Sequence, residues 1–242
     1  MPAPKRPAPS ISRLSPAATR AAAAGPALPQ APLSAAAAPS PPATEAAAAS
    51  LPLPRRERAS DKLLGVARRL FYRQGIRAVG VDAIVAAAGV TKPSLYRSFA
   101  SKDALAAAYL GAYDREFWQR FDAAMAAHPG DPRAQLLGFF AGVASRTADP
   151  AHRGCGMTNA AVEFPECDNP ARTICEVNKQ ELRRRLRAKA EELGADDPDL
   201  LGDGLFLLFE GAHVSSQLFA ADKPAANIVA MADRLIAASL PR

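Results

Sequence analysis

At 242 residues, about half of them apolar, the chain is long enough for one large domain or two small ones around a substantial core. No stretch approaches 18 uninterrupted apolar residues, which argues against a membrane-spanning helix. The net charge of +6 is unevenly spread: residues 1–58 and residues 59–100 each hold seven basic groups and two acids, while residues 101–242 hold sixteen basic groups and twenty acids. A polyanion partner is implied for the first hundred residues only.

Residues 1–57 precede everything that reads as folded. With residue 58 they carry 13 of the 22 prolines and no aromatic residue. Such a stretch buries too little apolar surface to offset its ordering entropy, so a disordered tail is expected. It has no compact apolar core of the kind a signal peptide needs. A start site placed too far upstream is the other reading, and it would need a non-Met codon because the next Met is Met125.

From Ser60 the pattern becomes helical. Leu63, Ala67, Leu70 and Phe71 share one helix face, and Gly75 supplies the stop, with Ile76 packing back. Val81, Ile84, Val85 and Ala88 form a second stripe about two turns long, closed by Gly89. Thr91 is a suitable N-cap for a third short helix that tolerates Pro93 in its first turn and buries Leu95 and Phe99. Ser101 caps a long helix, expected over 102–127, with Leu110, Tyr113, Phe117, Trp118 and Phe121 as its stripe. Further helices are expected over 132–147, 158–163, 171–193, 198–221 and 224–238. No alternating strand pattern occurs, so the fold class is all-α.

Two short helices joined by a tight glycine-containing turn can place the second in the DNA major groove while the first crosses the backbone. Once Leu95 and Phe99 are buried, Lys92, Pro93, Ser94, Tyr96 and Arg97 face outward. Lys92 and Arg97 can reach phosphates or guanine edges, and Ser94 and Tyr96 are hydroxyl donors. Lys102 lies at a helix start where backbone N–H groups also favour a phosphate. Gly80 and Thr91 complete the candidate DNA-binding set. The bland alternative is three packed amphipathic helices with ordinary surface charge.

The whole string from Ser60 to Leu110 is more specific. Leu70, Phe71 and Gly75, then Val81-Asp82-x-Ile84, Ala88-Gly89-Val90, Thr91-Lys92, Leu95-Tyr96, Phe99, Ser101-Lys102 and Leu105 together resemble the DNA-binding domain of the TetR family of bacterial regulators. Gly80 departs from that pattern, in which a Ser or Thr caps the second helix; one phosphate contact and part of a cap are lost. The resemblance implies a three-helix DNA-binding domain over 58–105, with its helix-turn-helix at about 80–99, and a helical effector-binding and dimerisation domain over 106–242. It implies a homodimer on a palindromic double-stranded operator, released by a small-molecule effector, in the cytoplasm, with no cofactor and no membrane. Repression is the family's usual mode.

By the same resemblance the last two helices form the dimer interface, through Leu205, Leu208, Ala212, Ser215, Leu218, Met231 and Leu235. From the residues alone, burial within one subunit is equally supported. Phe117, Trp118, Phe121, Phe140, Met157 and Phe164 are expected as effector-cavity candidates, although most such aromatics are plain core. His213, mid-helix among apolar residues, either joins them or is a satisfied core histidine. The segment from His152 to Phe164, with Gly154-Cys155-Gly156, looks like one subgroup of these regulators.

Cys155, Cys167 and Cys175 lack a CxxC pair, and their spacings of 12 and 8 fit no zinc pattern. An odd set of three suits a reducing compartment. Arg183, Arg184, Arg185, Arg187 and Lys189 sit beside Glu181, Glu191 and Glu192 at helical spacing and read as an ion-paired face. Two rival functions stay open: a non-specific nucleoid-type DNA binder, and an enzyme using Cys155 and His152. The second lacks a phosphate-cradling glycine loop and a GxSxG elbow.

Overall fold

The computed structural model describes residues 58–166, 168–219 and 221–241; the expectations for the tail and for Cys167 lie outside them. Nine α-helices and no strand occur among the described residues. The first three are α1 (Ala59–Gln74), α2 (Val81–Ala88) and α3 (Lys92–Ser98). Gly75 leaves α1 with φ +90°, and Gly89 closes α2 in the left-handed region, where the Val90 N–H reaches back to the Val85 carbonyl. Both turns need a residue without a Cβ penalty. Thr91 occupies the N-cap position of α3, but its hydroxyl bonds the Ser94 hydroxyl at 3.1 Å rather than a backbone N–H.

The remaining helices are α4 (Lys102–Ala126), α5 (Pro132–Ala148), α6 (Gly156–Glu163), α7 (Pro170–Glu192), α8 (Pro198–Leu218) and α9 (Ile228–Ala238). Side-chain caps fix four of these starts: Ser101, Asp131, Asn169 and Asp197 each accept a first-turn N–H. Two ends differ from the sequence expectation. Helix α8 stops at Leu218, with Phe219 already extended. Pro224 opens a 3-10 turn, Pro224–Asn227, and α9 begins only after it.

Two apolar cores organise these elements, and α4 and α7 run through both. The first joins Leu63, Ala67, Phe71, Ile84 and Leu95 of α1–α3 to Leu105, Tyr109 and Leu110 of α4, Met157 and Ala160 of α6, and Cys175 of α7. The second joins Phe117 and Phe121 of α4 to Leu136 and Phe140 of α5, Leu182 and Leu186 of α7, Leu205 and Phe209 of α8, and Ile236 of α9. Burying each of these large side chains contributes roughly 1.5–3 kcal/mol. The first core does not divide at residue 105, because segments from 155 to 175 complete it.

Helices α7 and α8 approach most closely at Gly202, where a Cβ would sit 2.7 Å from the Arg187 Cα and 2.8 Å from its backbone N. Beside that contact the Asp203 carboxylate takes paired hydrogen bonds from both Arg183 and Arg187. The basic run of α7 is therefore an ion-paired face; Arg184 and Arg185 hold Glu181, Arg185 also holds Asp122, and Lys189 holds Glu192. Backbone atoms do not give way as a flexible side chain does. Gly202→Ala is therefore expected to cost about 1–3 kcal/mol by overpacking, read as a lower urea midpoint; an unchanged midpoint would contradict the close approach.

Candidate nucleic-acid interface

Helix α3 is anchored by one fully buried side chain, Leu95, with half-buried Phe99 beside it. That leaves Lys92, Pro93, Tyr96 and Arg97 exposed and Ser94 half-buried, on the face turned away from the core. A short hydrogen-bond chain holds this face. Arg97 donates to the Ser94 hydroxyl at 2.9 Å, Ser94 and Thr91 share a bond, and the Ser98 hydroxyl bonds the Ser94 carbonyl. Tyr96 is half exposed. Lys92 is paired with Asp82 of α2 at 2.8 Å, and that hydrogen-bonded carboxylate raises the ammonium pKa. Both partners are exposed, so a phosphate can replace Asp82 at little cost. Gly80 is the exposed N-cap of α2. Lys102 is turned back: its ammonium donates to the Arg77 carbonyl at 3.3 Å, tying α4 to the α1–α2 turn.

The reader is also tied to the body at both ends of α6. At the far end, the Arg77 N–H donates to the Glu163 carboxylate at 2.8 Å and its guanidinium to the Glu163 carbonyl at 2.9 Å. At the near end, the Tyr72 hydroxyl donates to the Gly154 carbonyl at 3.0 Å and accepts the Arg153 N–H at 2.9 Å. The Gly156 N–H donates to the Tyr113 hydroxyl of α4, whose pKa burial pushes well up.

Behind the near end lies a buried polar cluster. His152 and His213 stack with their rings 5.2 Å apart and Nε2 3.1 Å from Nδ1. Lys179 lies 2.5 Å from Glu210 and 3.2 Å from the Cys155 sulfur, and Thr158 donates to Glu210. Burial opposes the charge on Lys179, but Cys155 and Glu210 outweigh it and raise its pKa. Burial also pushes the Cys175 thiol up to about 12. For His213, burial, then His152 and the cations Lys179, Arg146 and Arg120, depress the imidazole to about 3. His152 is lowered by burial, Arg146 and Lys223, against Asp149.

The residues expected to line an effector cavity divide between the two cores. Phe117, Trp118, Phe121 and Phe140 pack ring on ring in the second core, with centroids 4.9 Å apart for Phe117 and Trp118 and 5.3 Å for Phe139 and Phe140. Met157 and Phe164 lie in the first core. His213 belongs to the polar cluster, not to the aromatic set. Of the dimer candidates, Leu205 and Ala212 are buried in the chain's own core; Leu208, Ser215 and Leu235 are half-buried; Leu218 and Met231 are exposed. The exposed stripe of α8 runs instead through Leu200, Leu207, Val214 and Leu218. Residues missed in the sequence are Tyr72, Tyr113, Lys179 and Glu210; the signal for Lys179 was a charge between Cys175 and Leu182 on the apolar side of α7.

Residues 63–109 match the family model described as bacterial regulatory proteins of the tetR family. The transcriptional regulator AcuR of Cereibacter sphaeroides is 31% identical over 158 residues, which span 60% of this chain and 70% of that protein. The HTH-type transcriptional repressor ComR of Escherichia coli is 26% identical over 165 residues, 65% of this chain and 79% of its own. The crystal structure of a TetR-family transcriptional regulator from Streptomyces coelicolor superposes with a TM-score of 0.73 at 29% identity, covering 76% of this chain and 97% of that one.

A histidine that takes up its proton only after unfolding gives the unfolded chain the extra proton between its ordinary pKa of 6.5 and the folded value of about 3. Stability is thus full above that window and lost as pH falls into it, by about 1.4 kcal/mol per pH unit for each such imidazole. His213→Gln is expected to flatten the slope between about pH 6 and pH 4 by close to one proton's worth, measured by urea denaturation. Equal slopes for the two proteins would contradict the buried neutral pair.

Proposed function

The chain belongs to the TetR family of bacterial transcriptional regulators, DNA-binding proteins of the helix-turn-helix type, and from that premise we propose that it is a homodimeric repressor released from a palindromic operator by a small molecule. The observation that carries the reading is α3: one buried leucine fixes the helix, Lys92, Tyr96 and Arg97 are exposed, and hydrogen bonds join Arg97, Ser94 and Thr91. Lys92, Tyr96 and Arg97 read bases and phosphates, with Ser94 and Thr91 positioning them and Gly80 letting the backbone come close to the duplex. Repression follows the name of ComR and the family's usual mode.

Dimerisation is supported by Leu200, Leu207, Val214 and Leu218, which recur along α8 with Gly211 between them at a spacing close to a heptad seam. Met231 of α9 extends the same apolar surface, and a recess of about 240 Å³ opens between the two helices beside Leu207, Gly211 and Met231. A monomer seldom leaves so much apolar surface in water. Two readers so joined would meet successive major grooves about 34–36 Å apart. Effector release works through α4 and α6. Phe99-Ala100-Ser101 leaves no slack before α4, and α6 is bonded to the reader at both ends. An effector that favours another position of either helix changes the reader separation. No helix among the described residues is long and apolar enough to cross a membrane, and a cytoplasmic location with binding to the nucleoid fits this role.

The nucleoid-type alternative makes a different demand, since it needs no particular side chain on α3. Tyr96→Ala and Lys92→Ala are each expected to weaken operator binding by roughly ten- to a hundredfold while leaving the melting temperature unchanged, because both side chains are exposed. Unchanged affinity in a titration at fixed salt would remove α3 from the interface.

A further inference from the structure

A recess of about 420 Å³ opens between the α5–α6 connection and the C-terminal turn of α8, on the side of the molecule where no role has been assigned. Pro150, Leu218 and Phe219 give it apolar walls; Arg153, Lys223 and His152 give it polar ones. Its lining holds two permanent cations and no carboxylate. The nearby acids are engaged elsewhere. Asp149 accepts the Ala151 N–H at 2.7 Å, Glu210 is held by Lys179 and Thr158, and Asp222 lines the neighbouring recess. Among the described residues Lys223 donates to a neutral acceptor, the Thr147 carbonyl, at 2.9 Å, and has no ion-pair partner. The Arg153 guanidinium has no hydrogen-bond or ion-pair partner among the described residues, and neither has that of half-buried Arg146. The His152–His213 pair forms the inner wall.

We propose that this recess binds a small organic monocarboxylate, its head on Arg153 and Lys223 and its hydrocarbon part against Pro150, Leu218 and Phe219. Two cations at one recess with no carboxylate in its lining make a positive potential that attracts an anion. The planar guanidinium fork of Arg153 matches a carboxylate in two hydrogen bonds. The apolar walls favour an anion that carries a short chain over a bare one.

Arg153 also connects the recess to the reader. Its backbone N–H is the donor to the Tyr72 hydroxyl of α1, and its carbonyl accepts the Asn159 side-chain amide of α6. A carboxylate that draws the Arg153 side chain inward displaces the same residue's backbone, and with it the bond that holds α1 against α6. This regulatory consequence rests on the reading of the chain as an effector-released regulator; the binding itself does not.

The test uses the full-length protein and four probes: hexanoate, hexan-1-ol, hexylamine and inorganic phosphate, titrated calorimetrically. In parallel, an operator duplex recovered by selection from random DNA is titrated with and without each probe. Hexanoate is expected to bind once per chain and to weaken operator binding, while the alcohol, the amine and phosphate do neither. Arg153→Gln is expected to weaken hexanoate binding at least tenfold, and Arg153→Lys, which keeps the charge but not the fork, to restore only part of it; the exposed side chain makes both variants compatible with folding. Equal binding of hexanoate and hexanol, phosphate binding as tight as hexanoate, or no hexanoate binding by a protein that still selects its operator would overturn the recess assignment and leave the regulator reading intact. A protein that binds hexanoate but recovers no preferred duplex would retain the carboxylate site and remove the regulatory role.

Discussion

The reader has no core of its own. Helices α1, α2 and α3 are too short to bury a self-sufficient apolar centre, since domains of fewer than about 40 residues seldom do so unaided. Leu63, Phe71, Ile84 and Leu95 share one buried cluster with Leu105, Tyr109 and Leu110 of α4, and with Met157, Ala160 and Cys175 of α6 and α7. Helix α3 packs on α1 and α2, and α1 in turn packs on α4, so the seat of α4 governs where α3 points. The same dependence gives the body a physical hold on the reader, because packed cores shift between discrete arrangements more readily than they deform.

Polar contacts sharpen that hold. Helix α6 is only eight residues long, yet it is bonded to α1 through Tyr72 at its near end and to the α1–α2 turn through Glu163 at its far end. The Tyr72 bond joins partly buried groups, where loss of one partner strands the other, whereas the Arg77–Glu163 bonds are exposed. The near end adjoins a cluster in which burial and neighbouring cations lower the pKa of both imidazoles, His213 to about 3, with Lys179 and Glu210 paired beside them. Charge is thus concentrated where α5, α6, α7 and α8 meet, one hydrogen bond away from the reader.

The helices were legible in the sequence wherever one apolar face met a cap. Asp131, Asn169 and Asp197 mark their starts by residue type, and the stripes of α1 and α2 repeat at helical spacing. The early end of α8 and the 3-10 turn before α9 were not legible, because extended Phe219 and the turn over Pro224–Asn227 are settled by packing. The dimer candidates show a different limit. Helix α8 is apolar on two faces, one through Leu201, Leu205, Phe209 and Ala212, the other through Leu200, Leu207, Val214 and Leu218. Periodicity identifies both stripes but does not say which one faces the chain's own core. The aromatic set shows the same limit: Phe117, Phe121 and Phe140 are buried together in the second core, which periodicity alone does not distinguish from a cavity wall. The polar cluster escaped because it is assembled from four elements, the α5–α6 connection, α6, α7 and α8, and only a lysine on an apolar stripe betrayed it.

What the reader geometry implies is discrimination among DNA sequences, since a generic polyanion binder has no need of an ordered Thr91–Ser94–Arg97 array on one short helix. The most direct measurement is a competition titration at fixed salt between a duplex selected from genomic DNA and a random duplex of equal length. The account predicts a palindromic site bound about a thousandfold or more tightly than random DNA, the lower end of what specific regulators achieve. Equal affinity for the two duplexes, varying only with salt, would contradict it.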